Sequence, residues 1–155
     1  MHVRDLMTAE PVTVSPADRI VEAQELMGIC GFRHIPVIDP QGALVGMLSR
    51  VDITRVAYEG GGSDPRARAM QLAKLTVAEV MVKRVDTVSP DEVLGEVART
   101  MRGTRRACLP VVENGKLVGI LTEADFVRMV SALLPDNTVP AWMDILKKRL
   151  ADARG

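Results

Sequence analysis

The chain has 155 residues, Lys plus Arg and Asp plus Glu balance at 20 each, and 47% of residues are hydrophobic, the composition of an ordinary globular protein whose core needs no disulfide or metal. No apolar window approaches the 18 residues of a membrane span and no signal-peptide pattern opens the chain, so a cytoplasmic protein without a membrane span is expected; the zero net charge argues against broad nucleic-acid binding. The two cysteines, Cys30 and Cys108, are far apart, outside any C-x-x-C and without a neighbouring His cluster, so they suggest neither a zinc site nor a disulfide framework, and buried free thiols are the expectation.

In chain order, VRDLM (3–7) precedes a short strand at VTV (12–14), and Ser15-Pro16-Ala17-Asp18 has the Ser, Pro and acid of a helix start. Ile20, Ala23 and Met27 then give one apolar stripe at helical spacing. HIPVID (34–39) and ALVGML (43–48), separated by Pro40-Gln41-Gly42, read as a hairpin, and SRVDITRVA (49–57) returns to helical spacing. Glu59 to Pro65, with three consecutive glycines, has the composition of a flexible linker. RARAMQLAKL (66–75) predicts a helix, and Thr76 with Glu79 opens a short one.

The same order then recurs. VAEVM (77–81), DTV (86–88), the helix start Ser89-Pro90-Asp91-Glu92 and the stripe Leu94, Val97, Met101 lie 74 residues beyond their counterparts. CLPVVE (108–113) and KLVGIL (116–121) flank Asn114-Gly115, a strong hairpin signal because both residues tolerate positive φ. GALVGMLSRVDI (42–53) matches GKLVGILTEADF (115–126) at an offset of 73, one residue being lost in the turn. The chain is two copies of a strand, helix, hairpin, helix unit. Beyond Pro135 and Pro140, Trp142, Ile145, Leu146 and Leu150 predict an amphipathic helix whose other face carries Lys147, Lys148 and Arg149.

Polar residues recur as well. Ser49-x-x-Asp52 and Thr122-x-x-Asp125 each stand where an apolar strand turns into a helix. Helix capping alone accounts for both pairs. A ligand accounts for them too: the strand-to-helix crevice suits phosphate and sugar, and the short carboxylate could accept both ribose hydroxyls. Gly46 and Gly119, three residues earlier, would admit a flat ring or another backbone. The residues by themselves leave both explanations open.

Two copies of TVSP, an apolar helix, [I/L]-P-V-[V/I], G-x-L-V-G and [S/T]-x-x-D resemble the cystathionine beta-synthase (CBS) domain family, whose members occur in tandem as a Bateman module; the resemblance covers residues 3–134. It implies an α/β (α+β) fold of two pseudo-twofold-related β-α-β-β-α units packed through their sheets, plus the C-terminal amphipathic helix. The expected divisions are copy one at 1–58, a helix-containing linker at 59–76, copy two at 77–134 and a helical extension at 135–155. The resemblance further implies two clefts for adenosine-containing ligands: AMP, ADP or ATP, with S-adenosylmethionine and NAD(H) as alternatives. Carried over, Asp52 and Asp125 would hold ribose, Ser49 and Thr122 phosphate, and Thr13, Ile35, Pro36, Thr87, Leu109 and Pro110 the adenine. Relatives use basic residues before the proline strand for phosphate, which adds Arg33 and His34, with Arg105-Arg106 two residues earlier in copy two; after the hydroxyl, copy one adds Arg50 where copy two has Glu123. A homodimer with an unknown protein target is implied as well.

No Ser-His-Asp or Cys-His ordering and no metal-ligand spacing nominates a catalytic residue, so no enzyme, metal or cofactor is expected. The favoured function is a stand-alone regulatory ligand sensor, and the alternative is a constitutive dimerisation or scaffold domain. A nucleic-acid role, suggested only by Arg66, Arg68, Arg102, Arg105 and Arg106, ranks third.

Overall fold

The computed structural model describes residues 1–134 and Asp152; the amphipathic helix expected at 140–150 lies outside the described residues. The chain divides into a unit Met1–Thr122 and a unit Glu123–Gly155. The first contains β1 (Thr8–Ala9), α1 (Ile20–Cys30), β2 (His34–Ile38), β3 (Leu44–Ser49), α2 (Arg50–Gly61), α3 (Pro65–Lys74), α4 (Val77–Val80), α5 (Leu94–Thr104), β4 (Cys108–Glu113) and β5 (Lys116–Thr122). Of the second, α6 (Glu123–Leu133) is described; its first-turn acids Glu123 and Asp125 complement the positive end of the helix.

Both hairpins form where the alternation of turn and apolar residues puts them. In β2–β3, His34 faces Ser49 and Pro36 faces Met47; in β4–β5, Cys108 faces Thr122 and Pro110 faces Ile120. Asn114 and Gly115 both adopt positive φ, 50° and 77°, as a tight two-residue turn demands. The expected leading strands shrink to one parallel bridge each, Val14 to Val37 and Val88 to Val111. Each hairpin proline keeps its carbonyl for that bridge: Val14 N donates to Pro36 O (3.1 Å) and Val88 N to Pro110 O (3.1 Å).

The helices begin four or five residues later than the Ser-Pro motifs suggest. Ser15 N donates to Asp18 Oδ2 (2.7 Å) and Ser89 N to Glu92 Oε1 (2.7 Å), so each motif closes a single turn. Arg19 and Val93 then stay extended and serve as the N-caps of α1 and α5. The competing force is tertiary. Val77 N and Ala78 N donate to Asp18 O (2.8 Å) and Pro16 O (2.9 Å), while Val3 N and Arg4 N donate to Glu92 O (3.0 Å) and Pro90 O (3.0 Å). These bonds occupy the carbonyls that a helix starting at Ser15 or Ser89 would have used.

Those bonds reveal that the leading segments are exchanged. Residues 3–9 of copy one lie against copy two, and residues 77–82 of copy two lie against copy one, the reciprocal pattern an approximate twofold requires. The core follows it: Ile20, Ala23 and Met27 of α1, Ile35, Val37 and Leu48 of the hairpin, Ile53 and Ala57 of α2 and Leu72 of α3 pack with Val77 and Val80 of α4. Fully burying an aliphatic side chain of this size contributes about 1.5–3 kcal/mol. The stripe Leu94, Val97 and Met101 is likewise buried.

The exchange explains two repeated glycines. A Cβ on Gly46 would stand 2.6 Å from Met81 Sδ and 3.0 Å from Val82 O; one on Gly119 would stand 2.5 Å from Met7 Sδ and 3.2 Å from Thr8 O. The methionine ending each VRDLM-type segment fills the space that the sequence offered to a ligand ring. The glycine run at 60–62 is also reassigned. Gly60 and Gly61 are the last residues of α2, and a Cβ on Gly61 would meet the Arg68 backbone nitrogen at 2.3 Å. The expected flexible linker is therefore a close helix crossing. The cysteines are not both buried: Cys30, last in α1, is exposed and Cys108, first in β4, is half-buried.

Candidate functional site

Ser49 and Asp52 meet because β3 runs directly into α2. Ser49 Oγ accepts from Asp52 N (3.2 Å), and Asp52 Oδ2 accepts from Ser49 N (3.1 Å) and from the Ser49 hydroxyl. This is a complete capping box. It uses one carboxylate oxygen only; among the described residues Asp52 Oδ1 has no hydrogen-bond partner.

Beside this pair lies a cavity of about 250 Å³, close to the lower end of typical small-molecule pockets, roughly 300–1,000 Å³. Copy one contributes His34, Met47, Ser49 and Asp52; copy two contributes Val82 to Asp86 apart from Lys83, and Arg105 to Leu109. The exchange places the first of these groups, because Met47 and Val82 trade backbone bonds at 2.9 and 2.8 Å. A second cavity of about 170 Å³ shares Val85 and is lined also by Leu44, Gly46, Lys83, Thr87, Val112 and Gly115.

Three exposed arginines, Arg84, Arg105 and Arg106, stand at the rim of the larger cavity. Arg106 pairs with Asp86 through Nη2 (2.9 Å) and Nε (3.0 Å), whereas Arg84 and Arg105 have no ion-pair partner among the described residues. Burial holds the His34 imidazole below its ordinary value of 6.5; Asp52 opposes that fall and Arg33 adds to it. The wall thus combines a carboxylate able to accept hydroxyls with guanidinium groups suited to anions.

Of the residues expected from sequence, Ser49, Asp52, His34 and Leu109 come together here and Thr87 lines the smaller cavity. Ile35 is fully buried in the core, Pro36 and Pro110 are buried mid-strand, and Thr13 is half-buried beside the bridge residue Val14; none of these lines either cavity. Arg50 is committed elsewhere, its Nη2 donating to Met27 O at 2.7 Å, and Arg33 offers its carbonyl to Arg50 N (3.0 Å). Thr122 ends β5, half-buried. Asp125, on α6, is 2% exposed and ion-paired with Arg128 at 2.7 Å. The residues that sequence reasoning missed are Arg84 and Asp86, which the exchange carries to the other copy's aspartate; the repeated methionines were the available signal.

Among the described residues no group of three or more His, Cys, Asp or Glu could hold a metal ion, and no helix is long and apolar enough to cross a membrane.

Residues 3–59 and 77–132 match the CBS domain family. Similar solved structures include a putative acetoin utilization protein (AcuB) from Vibrio cholerae, 32% identical, with a TM-score of 0.76 over 90% of this chain and 98% of that one. CBSX2 in complex with AMP is 29% identical, with a TM-score of 0.72 over 85% of this chain and 97% of that one. The CBS domain pair of protein MJ0100, in complex with 5′-methylthioadenosine and S-adenosyl-L-methionine, is 27% identical, with a TM-score of 0.69 over 86% and 98%. The curated relatives are longer: this chain spans 23% of the length of one that is 30% identical over 128 residues, 46% of another and 14% of a third.

Proposed function

The chain belongs to the CBS-domain family, and from that premise we propose that it is a regulatory ligand-sensing module whose cleft beside Asp52 takes an adenosine-containing ligand. One observation carries the reading: Asp52 presents a carboxylate oxygen without a partner on the wall of a cavity that both copies build. Ribose hydroxyls would donate to that carboxylate, Leu109 and Met47 would supply apolar contact for the base, and the arginines would face the anionic end. The structural neighbours that hold AMP, 5′-methylthioadenosine and S-adenosylmethionine support the ligand class. Because the cavity is walled by both copies, a ligand that binds one arrangement of them better than another biases a surface presented to a second copy of the chain or to another protein. No catalytic step is proposed.

Isothermal titration of ligand-stripped protein with AMP, ADP, ATP, S-adenosylmethionine and NADH, repeated on Asp52→Asn, tests the reading. At 100 times its Kd a ligand adds about 2.7 kcal/mol of stability. For a chain of this size that raises Tm by roughly 5–10 °C. Asp52→Asn keeps an acceptor for the cap, so loss of binding in a folded variant would assign the carboxylate to the ligand. One observation favours the scaffold reading: the capping box already accounts for Ser49 and Asp52. Absence of heat from every compound, with the variant folded, would decide for it.

A further inference from the structure

The two copies differ in what covers their last helix. In copy one α3 lies across α2: a Cβ on Gly60 would stand 2.4 Å from Gln71 Cδ and one on Gly61 2.3 Å from the Arg68 backbone nitrogen, while Leu72 joins Ile53 and Ala57 in the core. That face of α2 is closed, with Ile53 2% and Ala57 6% exposed. At the offset of 73, copy two has Phe126, Val130, Leu133 and Leu134 at the positions of Ile53, Ala57, Gly60 and Gly61. Among the described residues α6 has no counterpart of α3. Phe126 is half-buried, and Val130, Leu133 and Leu134 are 43%, 58% and 37% exposed. These residues follow helical spacing and form one apolar stripe. Scattered apolar residues at a surface need no explanation, but a contiguous stripe marks a docking face.

The repeat itself supplies the occupant. Arg68, Gln71 and Leu72 are the α3 residues that meet α2, and 74 residues beyond them stand Trp142, Ile145 and Leu146. The same offset relates VRDLM to VAEVM and IPVI to LPVV. Pro65 opens α3, and Pro140 stands ahead of this second stripe, suited to a first helical turn. The two partners change together. Copy one sets glycines beneath Arg68 and Gln71, whereas copy two has leucines at the glycine positions and Trp142 and Ile145 at the polar ones. The correspondence stops at Leu75, where the later segment has Arg149 and carries its last apolar residue, Leu150, one position on. Residues 134–139 separate α6 from Pro140, a connection within the range of about 2–8 residues common between packed helices.

We propose that residues 140–150 fold back as a helix onto Phe126, Val130, Leu133 and Leu134 of the same chain, giving α6 the cover that α3 gives α2. Trp142, Ile145 and Leu146 face α6, and Lys147 and Lys148 face water. The docking is independent of any ligand beside Asp52. It withdraws the apolar face of α6 from other proteins, which leaves the two ends of the repeat closed by equivalent helices.

Trp142 is the chain's single tryptophan, so its emission reports the docking in the full chain without a label. Emission blue-shifted from that of free tryptophan, with weak quenching by acrylamide, is expected. Val130→Asp should shift the emission to the red and raise the quenching several-fold. Ala132→Glu, which places the copy-one residue Glu59 on the neighbouring face of α6, should change neither. Trp142→Ala should lower Tm by roughly 5–10 °C, as loss of a packed aromatic does. A cross-link then identifies the chain that covers the face. With Cys30→Ser and Cys108→Ser as background, Leu133→Cys and Ile145→Cys replace the counterparts of Gly60 and Gln71 and should close a disulfide within one chain under mild oxidation. Ala132→Cys with Ile145→Cys should stay reduced.

Emission of a water-exposed tryptophan in the folded native chain, or emission unmoved by Val130→Asp in a folded variant, would overturn the docking. A Leu133→Cys, Ile145→Cys disulfide that links two chains would overturn it in favour of a second copy on the same face. Thiols that stay reduced in that variant, with its fold intact, would also overturn it.

Discussion

Gly46→Ala separates two accounts of the repeated glycine, since the sequence offers it as the seat of a ligand ring while the structure fills that seat with Met81. The added methyl would stand 2.6 Å from Met81 Sδ and 3.0 Å from Val82 O. The thioether is flexible and can swing away, but Val82 O accepts the Met47 N–H at 2.9 Å and cannot retreat without loosening that bond. Ordinary carbon contacts are about 3.5–4.0 Å, so the exchanged segment must withdraw by a few tenths of an ångström. Overpacking of this order costs about 1–3 kcal/mol, the lower half being appropriate where one of the two neighbours can yield. A loss of about 1–1.5 kcal/mol lowers Tm by roughly 2–6 °C in a chain of this length. Urea denaturation of Gly46→Ala, Met81→Ala and the double variant gives the coupling between the two sites, expected at about 0.5–1.5 kcal/mol in favour of the double variant because the deleted side chain leaves room for the methyl. Strict additivity, with a Gly46→Ala protein of native stability that loses its ligand, would refute the exchanged-methionine account and restore the ring seat.

Two further outcomes are expected. Gly61→Ala should destabilise by about 1–2 kcal/mol in a thermal melt, the overpacking against the Arg68 backbone being partly offset by the alanine's better helix propensity; in a flexible linker the same change would be neutral or stabilising. His34 titrates below its ordinary value of 6.5 in the folded chain because burial disfavours the imidazolium. The unfolded chain therefore binds the proton first as pH falls, and the stability that His34 contributes is fully present above pH 6.5 and lost as pH falls from there through the folded value. The difference in Tm between the native chain and His34→Gln, measured from pH 7.5 to 5.5, should shrink over that window; a difference independent of pH would refute it.

Where one local pattern governed an element, the sequence was sufficient. The stripe Ile20, Ala23, Met27 and its counterpart Leu94, Val97, Met101 name the buried faces of α1 and α5, and Asn114-Gly115 names its turn, because spacing and φ preference are properties of neighbouring residues. What it misplaced was decided by residues far along the chain. Ser15 and Ser89 have the chemistry of helix starts, yet Val77 and Val3 take the carbonyls that such starts require. Three successive glycines have the composition of a linker, yet α3 folds back on them. The cavity shows the same division: Ser49, Asp52 and His34 were legible from their own copy, while Arg84 and Asp86 arrive by an exchange between copies whose trace in the sequence is the repeated methionine.

The arginines beside the two repeated aspartates make different ion pairs. Arg55 and Arg128 occupy matching positions, three residues after Asp52 and Asp125. Arg128 pairs with Asp125 at 2.7 Å. Arg55 reaches instead for Glu59, four residues on, at 3.3 Å. Copy two has Ala132 at the position of Glu59 and so offers its arginine no such alternative. One acidic residue at position 59 thus draws the neighbouring cation away from Asp52, whose Oδ1 is left without a partner on the cavity wall. The capping box holds the carboxylate in place, the exchange of leading segments brings Arg84 to the same cavity, and Glu59 engages Arg55. The cap thus fixes the Asp52 carboxylate through one oxygen, and Asp52 stands on the wall of a cavity that both copies line.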